Sequence, residues 1–379
     1  MRVWNARWLT PAVGAVFVAL LSAYLVQTYS RKEPELNISC FVYRDINRDG
    51  LYDVGDRPYA GLVLDMTRPD GSHVETTSNL AGFANFAMSV KSRGADVRTE
   101  GEYHIEGIAP RGWAITGNNE KQQTRFRFLT AAPAGIVAET LFKPMGVAPR
   151  LVVQGVIPGA VSFMAENPEG IRQEVVCATD GAFEIPATPG RWTLFIADRT
   201  GATVLRSVTV TDYPVIVSSS GLSERGIPAK TAKRSVDFET LTTSDTLVEV
   251  PRGYGGLNWT NWVATHQKLY KGAGFINGTV SGEFIGYNSS GHPALIEHPQ
   301  GFDVEGMFIG VAWPQAENHD VVIRAWRGDQ LIHEDRFRAS VVGPVAFDAD
   351  YRNVTRVEVT SVGFWQVLVD DFRYRVDGM

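Results

Sequence analysis

At 379 residues and 44% hydrophobic, with 37 glycines and 19 prolines, the chain is long enough for two or three domains and apolar enough to bury a core, which excludes an intrinsically disordered protein. Its net charge of −6, from 36 Lys and Arg against 42 Asp and Glu, argues against nucleic acid as a partner. Two cysteines, Cys40 and Cys177, are too few for a disulfide-stapled scaffold or a four-cysteine zinc site.

In chain order, the first feature is an uncharged run over residues 8–26. As a helix it spans about 28 Å, close to the hydrocarbon thickness of a bilayer. Arg2 and Arg7 precede it, which favours a cytoplasmic N-terminus, and Arg31 and Lys32 follow it. The expectation is a signal anchor within an N-terminal segment 1–35, giving a single-pass membrane protein with an extracytoplasmic C-terminal part, periplasmic or at the cell surface. A cleaved signal peptide has the same layout, although Leu21-Ser22-Ala23 and Thr28-Tyr29-Ser30 are poor cleavage sites. Export would put the two cysteines in an oxidising compartment, where a bridge and two separate thiols are both open.

After residue 30 no long helical period appears. Short runs rich in Val, Ile, Phe and Thr, at 37–43, 62–67, 151–156, 192–197, 204–210, 321–325 and 354–360, alternate with turn signals such as Pro69-Asp70-Gly71 and Thr179-Asp180-Gly181. This predicts an all-β chain, an N-terminal transmembrane helix followed by three β-sandwich modules at 36–144, 148–217 and 235–379. Stretches 143–149 and 218–234, punctuated by Pro, Gly and Ser, read as linkers.

The first module opens with Asp45-Ile-Asn47-Arg-Asp49-Gly50-Leu51-Tyr-Asp53-Val-Gly-Asp56. Oxygen side chains stand at positions 1, 3, 5, 9 and 12, with Gly at 6, which is the spacing of an EF-hand calcium loop with Asp in place of the final Glu. Calcium takes six to eight hard oxygens, and a tight loop presents them at alternating positions. Gly50 permits the turn and Leu51 offers its backbone carbonyl. Asp45, Asn47, Asp49, Leu51, Asp53 and Asp56 are therefore the expected ligands of a structural Ca2+. The flanks read as strands. Pro58-Tyr59-Ala60-Gly61-Leu62-Val63-Leu64 and Ser78-Asn79-Leu80-Ala81-Gly82-Phe83-Ala84-Asn85-Phe86 follow in turn. This order resembles the SdrD B-like repeat of bacterial surface adhesins, well over 36–90 and loosely over 91–144. The resemblance implies an Ig-like sandwich whose loop binds calcium and stiffens a stalk. Asp56 and Tyr59-Ala60 depart from the usual pattern.

The second module carries Val152-Val153-Gln154-Gly155-Val156, Ala178-Thr179-Asp180-Gly181-Ala182-Phe183 and Pro189-Gly190-Arg191-Trp192-Thr193-Leu194. It resembles a carboxypeptidase-regulatory-like domain, which implies a small sandwich acting as a spacer.

The third module is rich in Trp and His. It contains Val236-Asp237-Phe238-Glu239, Val250-Pro251-Arg252-Gly253-Tyr254-Gly255-Gly256-Leu257-Asn258-Trp259 and Val367-Leu368-Val369-Asp370-Asp371-Phe372. It resembles galactose-binding-like jelly rolls of secreted proteins. Two expectations follow. In such folds the first and last strands pair, which brings Asp237 and Glu239 towards Asp370 and Asp371. Clustered carboxylates are unfavourable without a cation between them, so a second calcium is expected there. Tyr254, Trp259, Trp262 and Tyr287, with Asn258 and Asn288 supplying hydrogen bonds, form a candidate platform for a sugar ring.

Catalytic motifs are incomplete. His333-Glu334-Asp335-Arg336-Phe337 lacks the second His of a zinc-protease helix, and Gly253-Tyr-Gly255-Gly256 has no surrounding βαβ unit. The reading is a non-catalytic, envelope-anchored protein with a calcium-stiffened stalk, presenting a carbohydrate-binding or adhesion jelly roll. The alternatives are a docking or scaffold subunit of an envelope or secretion complex and, further off, a glycan hydrolase.

Overall fold

The computed structural model describes residues 38–87, 100–129, 135–197, 203–219, 227–243 and 246–377. The predicted anchor over 8–26 lies outside them. Among the described residues no helix is long and apolar enough to cross a membrane. The chain is all-β, built on three main hydrophobic cores.

The first sandwich has two sheets. In one, Ile38–Arg44 runs parallel to Met145–Pro149 and antiparallel to Phe83–Ala87 and Arg57–Pro58, while Met145–Pro149 pairs with Trp113–Thr116. In the other, His73–Thr77, Val63–Thr67, Gly101–Ile108, Lys121–Leu129 and Gly135–Ala138 form an antiparallel row. The period of two is plain in Gly101–Ile108, where Tyr103 and Ile105 face inward and Glu102, His104 and Glu106 face out. Cys40, Val42, Leu64, Met66, Phe86, Phe126 and Val147 complete this core.

The expected linker at 143–149 is in fact the last strand of this sandwich, with every residue of Met145–Pro149 buried. Its glycine is demanded by packing rather than by flexibility. A Cβ on Gly146 would stand 2.3 Å from Thr116 Oγ1 and 2.8 Å from Tyr43 Oη. The second expected linker, 218–234, likewise contains the start of a strand, Ala232–Val236.

In the second sandwich, Arg172–Val176, Ser162–Glu166, Gly190–Ala197 and Thr203–Val210 form one sheet. In the other, Val152–Val156 lies between Ala182–Pro186 and Val215–Val217. That sheet continues into the third module, because Val215–Val217 also pairs in parallel with Val345–Ser361, Ile216 opposite Phe347. Phe308 and Ala346 of the third module pack into the second core.

The third module is organised by two long antiparallel strands, Ala294–Val311 and Val345–Ser361. Bulges between Glu297 and Gly306 let each have different neighbours along its two halves. Ala232–Val236 pairs with Val367–Val376, Val236 opposite Phe372, so the first and last strands do meet.

The modules are joined by buried contacts. Asn277, on the short helix Ala273–Gly278, donates from Nδ2 to Ala60 O at 2.8 Å and accepts Ala60 N–H at 3.4 Å. Trp113 covers Gly343, where a Cβ would lie 2.4 Å from the indole. Buried Arg44 lies over the rings of Trp113, at 5.7 Å, and Tyr213, at 4.1 Å, and Tyr213 packs on Phe308. One guanidinium thus touches rings of the first and second modules against the third.

Candidate functional site

The loop 45–56 leaves the end of Ile38–Arg44 and is tied by its own side chains. Asp45 Oδ2 accepts Gly50 N–H at 2.8 Å, Asn47 Oδ1 accepts Asp49 N–H at 3.1 Å, and Asp49 Oδ1 accepts Leu51 N–H at 2.8 Å. Asp56 closes the loop, accepting Ile46 N–H at 2.9 Å and Asp53 N–H at 3.1 Å. These short side-chain-to-backbone bonds are the reason Asp and Asn at alternating positions curl a chain. Gly50 has φ 78°, and its Cβ would lie 2.3 Å from Gly117 Cα, so the loop is seated on the turn after Trp113–Thr116.

This arrangement leaves oxygens to spare. Asp45 is 1% exposed, and its Oδ1 has no hydrogen-bond partner among the described residues. Asp49 Oδ2 and Asp53 Oδ2 share the Asn47 amide, at 3.0 and 3.3 Å from Nδ2. A buried, unpaired carboxylate oxygen carries a desolvation penalty that a cation removes. Burial, and next to it the carboxylates of Asp45 and Asp53, raise the Asp56 carboxyl against the pull of its two N–H donors. Burial first, and then the four loop carboxylates, push the Tyr43 hydroxyl above its usual range. The loop is thus a concentration of carboxylate oxygens around one buried acid. Among the described residues no three His, Cys, Asp or Glu side chains already converge as metal ligands. Asn47 Nδ2 stands between the outer carboxylates, so a cation there requires the amide to present its oxygen instead.

At the second expected calcium site the acids are bonded by the chain itself. Asp370 is fully buried and accepts three backbone N–H groups, from Val280, Ser281 and Asp371 at 2.7–3.0 Å. Asp371 takes the Ser281 hydroxyl at 2.8 Å. Glu239 accepts Glu283 and Phe284 N–H at 2.9 and 2.7 Å, and Asp237 accepts Glu239 N–H at 3.2 Å. Pairing of the terminal strands does bring Glu239, Asp370 and Asp371 to one turn, 280–284, where backbone N–H groups and the Ser281 hydroxyl bond them; burial still raises the Asp370 carboxyl to about 8, against the pull of its N–H donors.

The aromatic platform is also corrected. Trp259 is 3% exposed and Trp262 0%, packed edge to face at 5.7 Å. Their indole N–H groups donate to Tyr254 O and Leu295 O at 2.8 and 3.1 Å. Tyr287 is buried with its hydroxyl 3.0 Å from that of Tyr270. Asn288, also buried, accepts Val367 N–H at 2.6 Å and donates to His292 O at 2.8 Å. Tyr254 is half-buried, bonded to Thr240 Oγ1 at 3.0 Å, and Asn258 is partly exposed on Asn258–Thr260. These residues are core and pins of the third module and offer no sugar-sized face. Phe364, 61% exposed, and the partly exposed Trp365 went unremarked as a site in the sequence. Their signal there is Gly363 followed by two large rings between two strands. Cys40 and Cys177 are free thiols.

No family model matches the chain, and no curated protein matches it. Among solved structures, shaft pilin SpaA of Lactobacillus rhamnosus GG aligns at 12% identity and TM-score 0.22, over 48% of this chain and 97% of that one. The Bacillus anthracis TIE protein aligns at 10% identity and TM-score 0.20, over 91% of this chain and 49% of its own. The CBM51-2 and INT domains of Clostridium perfringens ZmpB, solved with GlcNAc, align at 12% identity and TM-score 0.21, over 53% and 43%. Likenesses this slight leave function to the chain's own residues.

Proposed function

We propose that the chain is a non-catalytic exported protein, held in the envelope by residues 8–26, in which a calcium loop stiffens a block of three β-sandwiches that presents the third for adhesion. The observation that carries this is the buried, unpartnered Oδ1 of Asp45 at the inner end of a loop with EF-hand spacing. Asp45 follows Arg44, the residue stacked between rings of the first and second modules. Ordering the loop therefore orders the junction as well. Millimolar affinity suffices outside the cell, which suits an Asp rather than a Glu at the last position. The test is terbium titration of the whole chain, read by luminescence sensitised through Tyr43 and Tyr52 beside the loop, with calcium as competitor. A saturable signal displaced by calcium and lost in Asp45→Asn supports the reading; no sensitised signal in the wild type rejects it.

A docking role is the second reading, favoured by an open cleft of about 1000 Å3 between the second and third modules. Asp180, Glu184 and Asp320 on its walls suit an extended basic segment of an envelope protein. Exchange of Asp180 and Glu184 for lysine should abolish such docking, and envelope complexes unchanged by it would dismiss the idea.

A further inference from the structure

The connection between the last two strands, which both pair with Ala294–Val311 rather than with each other, holds an anomaly. Phe364 has φ 59°, a left-handed conformation that a bulky side chain adopts only under strain, and its ring is 61% exposed. Such backbone strain persists only where the surroundings hold it. Val362 beside it is 48% exposed, and Trp365 is partly exposed. Both the strain and the exposure work against stability.

The surroundings hold the ring in place. Gly291 abuts this connection so closely that a Cβ would lie 1.6 Å from Phe364 O. The His292 ring packs on Phe364 with centroids 5.4 Å apart, and the His319 ring on Trp365 at 5.9 Å. His319 Nδ1 lies 3.2 Å from Val362 O, and Ser361 Oγ donates to Trp365 O at 2.7 Å. On the facing turn, Asn261 Nδ2 donates to the carbonyls of Ser289, His292 and Pro293 at 3.1–3.3 Å. Two turns are thereby fixed side by side, with the rings of Phe364 and Trp365, the His292 imidazole and the exposed Ser290 on them, and His319, from the segment just before Asp320–Arg327, alongside. Segments 288–293 and 361–366 contain no Lys, Arg, Asp or Glu. A neutral face on a chain of net charge −6 suits a neutral ligand better than a nucleic acid, an anionic lipid or a charged peptide.

We infer that the paired turns 288–293 and 361–366 form a binding site for a neutral pyranose glycan. Phe364 and Trp365 stack on the apolar C–H face of a sugar ring, and His292, His319 and Ser290 hydrogen-bond its hydroxyls. The inference rests on the reading of the third module as the presented end and requires no calcium.

The test is saturation-transfer NMR on the full chain with tetrasaccharides of β-linked glucose, N-acetylglucosamine and galactose, in calcium and in chelator. Transfer to ring C–H protons of at least one is expected, with affinity falling about tenfold or more in Phe364→Ala and in Trp365→Ala. Phe364→Gly separates binding from folding: it should raise the melting temperature while weakening the sugar. Transfer to none of the three, binding indifferent to Phe364→Ala, or a lower melting temperature in Phe364→Gly would each overturn the proposal. Sugar binding that persists in chelator stands even where calcium leaves melting unchanged. A calcium-dependent melting shift without sugar binding defeats this site and leaves the loop reading intact.

Discussion

His333 should make the fold acid-sensitive. It lies on Gln330–Arg338, 1% exposed, with its ring flat on Tyr351, centroids 4.4 Å apart and planes at 12°. Burial lowers its pKa from 6.5 to about 4, with nearby Asp335 opposing only in part. The unfolded chain binds this proton first as pH falls. The stability the neutral ring confers is therefore complete above about pH 6.5 and is lost as pH drops towards about 4. A separation of about 2.5 units at about 1.4 kcal/mol each amounts to roughly 3 kcal/mol. Urea unfolding of wild type and His333→Phe at a series of pH values measures it, since Phe keeps a ring on Tyr351 and cannot titrate. Carboxylates titrate in both proteins, so the difference isolates the histidine. Wild type should lose about 3 kcal/mol more than the variant across that interval. Parallel stability curves would refute the assignment of His333 as a buried neutral ring.

Three further outcomes follow from packing. Trp262→Ala removes a fully buried indole and its bond to Leu295 O, and should destabilise the fold by about 3–5 kcal/mol in chemical denaturation; an effect under about 1 kcal/mol would place the ring at a surface after all. Gly146→Val drives a side chain into Thr116 and Tyr43 and should leave the first sandwich susceptible to proteolysis, whereas a flexible linker would accept it. Arg206, 6% exposed, bonds Asp348 and Asp350 across the boundary between second and third modules. Arg206→Ala removes the ion pair of Asp348 and leaves Asp350 with Arg352; it should cost about 3–5 kcal/mol and uncouple the two modules in calorimetry; a single unchanged transition would contradict a shared sheet.

Much of the fold is written in local patterns. Alternation in Gly101–Ile108, the turn at Thr179-Asp180-Gly181 and the Asp and Asn spacing of 45–56 all show at short range. Three features do not, each for a physical reason. Glycine and proline mark breaks, so 143–149 reads as a linker, yet Gly146 is small because Tyr43 and Thr116 press on it from distant strands. Val215–Val217 continues into Val345–Ser361 by parallel pairing, which leaves no trace in either strand's own composition. The direction of Trp259 and Trp262 depends on register, Trp259 standing opposite Ile296 on an inward face. Asp370 adds a fourth lesson: the turn that bonds it, Val280-Ser281, lies ninety residues away, and nothing in its own segment announces that contact.

The central claim is that calcium at 45–56 stiffens the folded block. Calorimetric melting of the whole chain in millimolar calcium and in excess chelator, for wild type and Asp45→Asn, tests it most directly. Ligand at a hundredfold excess over its Kd stabilises by about 2.7 kcal/mol, a rise of several degrees for a sandwich of this size. That rise is expected in the wild type and its disappearance in Asp45→Asn. Wild-type curves that coincide with and without calcium would contradict it.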